Sequence, residues 1–528
     1  MPSRLLALLL VAALASACSK TPVRTQTALG ELQGYVDDGV EYYLGVPYAQ
    51  PPIAGLRWRP PQQAQPWQGT HEAQKIPPVC MQFSIITGSV IGNEDCLYLN
   101  IWTPSERTTQ PKPVMVWIHG GGFIIGQGAY TAEDWPRLAR REDVVVVSMN
   151  YRLGIFGFLA HQALTAEDPA HPTSGNYGIE DQTAALRWVR DHISAFGGDP
   201  DNVTLFGQSA GGISVCAQLA SPAANGLFHR AAIQSGPCGG PMSSLSAVSA
   251  LGEQATVDLQ CQDASDVLSC LRDRPAADVI NTLPPDPTLG FGEGYTFWWP
   301  VHDGVTLPYQ FMDAFESGRF NQVPIINGAT LNEASLLIWL SHNFRFKPLQ
   351  ADQYMDRLEY LTGRAELAAA VARQYPLENY NSPFEALTAS FSDGFFNCII
   401  RSQAQALSRH VPLWAYQFDY TEAPFFIPWA DLGAFHAAEL QYVMGRPMTL
   451  TRRDFKQKEQ PMAQSIMDYW ARFARSGNPN PPGLNSWPAY DSSDQTLLFN
   501  LHNSVAQQVH AQACQFWAGL PYLRPVYQ

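Results

Sequence analysis

The chain carries a serine between glycines, "FGQSAGG", Phe206 to Gly212, in the G-x-S-x-G pattern of a sharp strand-to-helix turn. Serine alone is a weak nucleophile at neutral pH. It needs a base for its proton, a group that orients the base, and N–H donors for the oxyanion formed when it attacks a carbonyl. "HGGGF", His119 to Phe123, offers such donors. Consecutive glycines let backbone N–H groups approach developing charge without a Cβ in the way, so Gly121, Gly122 and the N–H of Ala210 are the candidate oxyanion hole. In this turn motif the acid and the histidine follow the serine in the chain, which leaves His229, His302, His342, His410, His436, His502 and His510 as bases. His436, in "DLGAFHAAELQYVMG", stands out because a glycine-containing loop there meets an apolar helical pattern. Glu333, just after the strand pattern "VPIINGATLN", is the candidate acid. On residue types alone both stay open: a carboxylate there also suits a helix N-terminus, and a lone histidine also suits a satisfied core. His119 precedes the serine and reads as a structural support.

These residues need a scaffold that presents loops at one end of a sheet. "LYLNIWTP", "PVMVWIHGGGF" and "DVVVVSMNYRLG" are runs of β-branched and aromatic residues ending in turn formers, the pattern of strands covered on both faces. "GIEDQTAALRWVRDHISAFGG" has helical spacing and stops at glycines, and "NVTLFGQSAGGISVCAQLA", "RAAIQSG" and "VPIINGATLNEASLLIWL" continue the alternation of strand, turn and helix. The pattern predicts an α/β architecture with a wide parallel or mixed central sheet. A serine on a turn at the carboxyl end of such a sheet stands where open α/β sheets place their sites. Gly207 and Gly211 fit that turn, because a side chain at either would meet neighbouring backbone.

The chain has 528 residues, of which 46% are hydrophobic and only 15% charged, so it can bury a large core. With no linker, repeat or low-complexity tract after the N-terminal region, residues 19–528 read as one domain. A net charge of -14 excludes a nucleic acid as the expected partner, since phosphate binding requires concentrated Lys and Arg. The expected partner is a small molecule, and a monomer is favoured.

Residues 1–18 read as an export signal: Arg4 precedes an uncharged apolar run too short to span a bilayer, and small residues precede Cys18. Ala15 to Cys18 resembles a bacterial lipobox in which Cys18 becomes lipid-modified, although Ala15 stands where Leu is usual. The expectation is an exported protein of a Gram-negative bacterium, held at the outer membrane by lipid on Cys18 or, after ordinary cleavage near Ala17, free in the periplasm or medium. In an exported chain the other eight cysteines invite disulfides. Cys80 with Cys96 and Cys261 with Cys270 are close enough for local staples, but spacing does not fix the pairing.

"EDCLYLNIW", "WIHGGGF", "NYRLGIFGFL", "GNYGIEDQTAALRWVRDHISAFGGDPDNVTLFGQSAGG", "NGATLNEAS" and "GAFHAAEL", in order from about Gly30 to the C-terminus, resemble the type-B carboxylesterase family, the cholinesterase-like α/β-hydrolases. The resemblance implies an α/β-hydrolase fold and Ser209, Glu333 and His436 as nucleophile, acid and base. It implies Gly121, Gly122 and Ala210 as the oxyanion hole, with Ser235 and Glu439 buried behind the site in support. It also implies the disulfides Cys80–Cys96, Cys261–Cys270 and Cys398–Cys514. Cys216 and Cys238 are then left over, Cys216 as a small buried hydrophobe and Cys238 as another free thiol. The implied reaction is acyl transfer through an ester of Ser209, with no metal and no organic cofactor.

Two departures bear on substrate. Most of the family has Glu where this chain has Gln208, so a negative charge is missing where a choline ester's cation would bind. The loop between Cys80 and Cys96 is short and lacks tryptophan, which argues against both cation recognition and a lipase-like lid. By family analogy Phe297, Trp298, Trp299, Phe344, Phe395 and Phe396 line the substrate pocket, and each also suits ordinary core packing. Arg345 and Lys347 offer a place for an anionic ester or belong to a solvated loop. The expected substrates are neutral, bulky or aromatic esters, including xenobiotic or polymer esters. A carbamate or amide hydrolase using the same residues, and a non-catalytic binding protein, are the alternatives.

Overall fold

The computed structural model describes residues 20–84, 87–106, 108–282, 298–342, 348–427, 429–449 and 454–520. Its centre is a 13-stranded sheet. Across the sheet the strands run in the order Thr21–Thr27, Gly30–Asp37, Val40–Pro47, Tyr98–Pro104, Val145–Met149, Lys112–Ile118, Gly198–Gln208, Arg230–Gln234, Ile325–Thr330, Leu413–Phe418, Gln495–Phe499 and Ser504–Gln507, with short Thr70–Glu72 beside the second. From Val145–Met149 to Gln495–Phe499 every neighbour is parallel, and the flanking pairs are antiparallel. This is the α/β-hydrolase architecture that the motifs imply.

The strands are apolar on both faces because both are covered. Val114, Val116 and Ile118 point into one hydrophobic cluster with Val145, Val147, Val203, Leu205 and Ile233. Their neighbours Met115 and Trp117 point into the opposite cluster with Val146, Phe206, Ala232 and Ile326. Period-two alternation thus gives two cores from near-continuous apolar runs, and each fully buried Val, Leu or Ile contributes about 1.5–3 kcal/mol. A third cluster joins the helices between Ala334 and Cys398 to the C-terminal helix Ala511–Ala518 through Trp517.

The structure pairs Cys80 with Cys96, Cys261 with Cys270 and Cys398 with Cys514. It corrects the expectation for the remaining two: Cys216 and Cys238 are joined to each other. Cys216 lies on the helix Ala210–Ala220, all of whose residues are buried, and Cys238 on the segment after the strand Arg230–Gln234. Two parallel strands side by side bring helix and segment together, a juxtaposition that sequence spacing does not display. No helix among the described residues is long and apolar enough to cross a membrane.

Candidate active site

The strand Gly198–Gln208 ends at Ser209, whose backbone has φ 59° and ψ −125°, and the helix Ala210–Ala220 begins at the next residue. That backbone is sparsely populated for a residue with a side chain, so the surroundings must hold it. They do so with the N–H of Ser209 on the carbonyl of Gln234 (2.9 Å) and the N–H of Ile213 on the carbonyl of Ser209 (2.9 Å). A Cβ at Gly211 would stand 2.1 Å from the carbonyl oxygen of Ile118, and one at Gly207 would stand 2.4 Å from that of Gly211. The turn closes only without those side chains. Ser209 itself remains partly accessible.

The glycine loop stands against this turn, since a Cβ at Gly120 would lie 3.0 Å from Cβ of Ser209. Gly121 has φ 112°, and its carbonyl accepts from the N–H groups of Ile124 and Ile125, which closes the loop over itself. The N–H of Ala210 belongs to the first turn of its helix, whose donors have no intrahelical partner. His119 is buried, stacks on Tyr151 with centroids 4.4 Å apart, and sets Nδ1 2.8 Å from the carbonyl of Gly120. Burial pushes its imidazole down to about 4, so it sits in the loop as a neutral spacer. Gln82, which sequence reasoning did not single out, grips Gly126 from both sides: Nε2 donates to its carbonyl and Oε1 accepts its N–H, each at 2.9 Å. The disulfide loop Cys80–Cys96 thereby steadies the glycine loop.

Glu333 opens the helix Glu333–His342 beyond the strand Ile325–Thr330 and is fully buried. Its Oε1 accepts the N–H of Thr330 (2.7 Å), and its Oε2 meets Nδ1 of His436 in a short hydrogen bond. The structure therefore brings Glu333 and His436 together across 103 residues. Asn332 and Ser335 hold the histidine's loop in place. The Oδ1 of Asn332 accepts the N–H of Ala434 (3.0 Å), its N–H donates to the carbonyl of Ala434 (2.9 Å), and Ser335 Oγ donates to the carbonyl of Leu432 (2.7 Å). The "NEAS" run after a strand was their only sequence signal.

The other ring nitrogen of His436 faces an unexpected partner. Gln208 Nε2 lies 3.1 Å from His436 Nε2, and among the described residues that nitrogen makes its hydrogen bond to Gln208 rather than to Ser209. Phe396 packs against the imidazole with centroids 5.2 Å apart, and Phe395 stacks on Phe391 beside it. Trp299 meets Phe123 of the glycine loop edge-on at 6.0 Å, whereas Trp298 is buried in the main core. Phe297, Phe344, Arg345, Lys347 and Cys18 lie outside the described residues.

Behind the histidine, Glu439 is buried with Oε1 accepting from Gln234 Nε2 (3.2 Å). Its Oε2 and the buried Oγ of Ser235 have no hydrogen-bond partner among the described residues. Burial, and then the charge of Glu333, push the Glu439 carboxyl up to about 7. Glu439 therefore gives up its proton less readily than an exposed glutamate.

Comparison with known proteins accords with this geometry. Residues 20–517 match the model of the carboxylesterase family. The chain is 34% identical over 507 residues to para-nitrobenzyl esterase of Bacillus subtilis (strain 168), covering 93% of this chain and 97% of that one. It is 34% identical over 537 residues to pyrethroid hydrolase Ces2e of Rattus norvegicus, covering 94% and 90%. A solved structure of PNB esterase superposes with a TM-score of 0.77 at 32% identity, over 94% of this chain and 99% of that one. With the hydrolase sheet, the serine turn and the buried Glu333–His436 pair already in hand, the chain belongs to the carboxylesterase family and is a carboxylic ester hydrolase.

Proposed function

We propose that this esterase works through an acyl-enzyme on Ser209, with His436 as base, Glu333 as the acid that orients it, and the N–H groups of Gly121, Gly122 and Ala210 as the oxyanion hole. The observation that carries the reading is the buried Glu333–His436 hydrogen bond opening beside the strained turn of Ser209. Glu333 accepts the Nδ1 proton, which leaves the lone pair of His436 on Nε2. That nitrogen takes the Ser209 proton as Oγ attacks the ester carbonyl, and the N–H donors stabilise the oxyanion. Protonated His436 then gives its proton to the departing alcohol, and water repeats the sequence to free the acid and Ser209.

The substrates are neutral esters with bulky or aromatic groups. Phe395, Phe396 and Trp299 beside the histidine and the glycine loop support this, as do the names of the relatives, a para-nitrobenzyl esterase and a pyrethroid hydrolase. Choline esters are poor substrates because Gln208 carries no charge to meet a cation. The protein is an exported monomer of a Gram-negative bacterium, one domain over residues 19–528, anchored to the outer membrane by lipid on Cys18. The apolar leader and the four disulfides support export.

Hydrolysis of p-nitrophenyl esters and covalent labelling by a fluorophosphonate are expected in the unsubstituted protein and absent in Ser209→Ala. Hydrolysis that survives Ser209→Ala would overturn the assignment. A panel of esters varying acyl size, alcohol size and charge separately should favour neutral bulky members.

A further inference from the structure

The position of Gln208 has a chemical consequence for the base. Glu333 is a buried carboxylate on Nδ1 of His436, so the imidazole carries its proton there and presents a lone pair at Nε2. The group that meets this lone pair is the amide nitrogen of Gln208, 3.1 Å away, and a primary amide nitrogen is only a donor. Gln208 is 3% exposed and lies between two parts of the site: its Oε1 faces Gly120 of the glycine loop, and its Nε2 faces the base. A donor on the lone pair stabilises uncharged imidazole and opposes imidazolium, whose Nε2–H would confront the N–H of the amide.

We infer that Gln208 is a positioning residue that caps the lone pair of His436 in the free enzyme, holding the base uncharged until Ser209 and substrate displace the amide. This rests on the reading of His436 as base. A carboxylate at position 208 accepts and cannot donate, so it would select the opposite charge state, an imidazolium flanked by two carboxylates. The chain's glutamine therefore extends activity toward acid, and the cap delays proton transfer until the serine is engaged. Among the described residues the other titratable groups facing His436 are Glu333 on Nδ1 and Glu439 three residues along the chain. Asp393, on the segment that carries Phe396, turns its carboxylate to Tyr375 and His510 instead.

The test measures kcat/KM against pH with p-nitrophenyl acetate in the full protein and in the Gln208→Glu and Gln208→Met variants, each profile normalised to its own plateau. The acid limb of Gln208→Glu should move to higher pH by about one unit, and that of Gln208→Met, which removes the donor without adding charge, by less. Following the downfield Nδ1–H proton resonance of His436 against pH reads the same transition without substrate, and the midpoints should fall in the same order. If both variants keep the wild-type acid limb and resonance midpoint, Gln208 does not cap the base. Ester hydrolysis that persists in Ser209→Ala would instead overturn the acyl-enzyme reading, and the resonance titration would still decide the role of Gln208.

Discussion

Asn332 holds Ala434 by two hydrogen bonds, side-chain oxygen to N–H and N–H to carbonyl, and thereby fixes the loop that carries His436 against the residue next to Glu333. Glu333 and His436 depend on this clamp for their register. Removing the side chain by Asn332→Ala leaves the N–H of Ala434 without its acceptor, a loss of about 1–3 kcal/mol. The expected outcome is a fall in kcat of about tenfold to a hundredfold with a smaller change in KM, because the base loses aim while the pocket stays. Steady-state kinetics of the variant, with its fold checked by circular dichroism, decides this.

Gln82 acts on the opposite wall. In Gln82→Ala the glycine loop loses both side-chain bonds to Gly126. On the proposed reading the loop's N–H groups hold the oxyanion, which forms only as the reaction proceeds, so kcat should drop by about tenfold or more while fluorophosphonate labelling slows in parallel. Unchanged labelling rates would show that the loop holds its shape without Gln82.

The buried carboxyl of Glu439 makes stability depend on pH in a stated direction. Its folded value of about 7 lies above the ordinary glutamate value of 4.5, so the folded chain holds the proton more tightly than the unfolded one. The stabilisation from that proton is complete below about pH 4.5 and is lost as pH rises through about 7, to a total of up to about 3 kcal/mol. Glu439→Gln does not titrate. Its melting temperature relative to the unsubstituted protein should therefore increase between pH 5 and pH 8, and a constant difference would contradict the assignment.

Pairing of Cys216 with Cys238 predicts that residues 19–528, denatured without reductant, yield no free thiol to a chromogenic disulfide reagent. The double substitution Cys216→Ala, Cys238→Ala opens a loop of 22 residues and should lower stability by about 2–4 kcal/mol. Two buried, unbridged cysteines would instead titrate as thiols once denatured.

What the sequence revealed and what it hid follow from range. The turn at Ser209 was legible because its steric demands are local: Gly207, Gly211 and the strand before them lie within a few residues. The sheet was legible because two covered faces require near-continuous apolar strands. Gln208 on His436 was not, since 228 residues separate them and neither residue's neighbours report the other. An uncharged side chain before a serine reads only as a missing charge, and its hydrogen-bonding partner exists only after the sheet has folded. The Cys216–Cys238 bridge was hidden for the same reason: a helix interior reads as apolar packing until the adjacent strand delivers its partner. Asn332 and Gln82 were passed over because Asn and Gln ordinarily mark turns and surfaces, and only their hydrogen bonds to the backbone of Ala434 and Gly126 show otherwise.

The four disulfides also divide the molecule in a way that the sheet conceals. Three lie between Cys80 and Cys270 and the fourth spans Cys398 to Cys514, so none crosses the interval between Cys270 and Cys398. Ser209 belongs to the first covalent half and His436 to the second. They meet through the parallel pairing of the strand Arg230–Gln234 with Ile325–Thr330 and the packing around it. A single peptide cleavage in the exposed connection around Gly304 and Val305 therefore turns one polypeptide into two, with the serine on one and its histidine on the other, joined only by noncovalent contact.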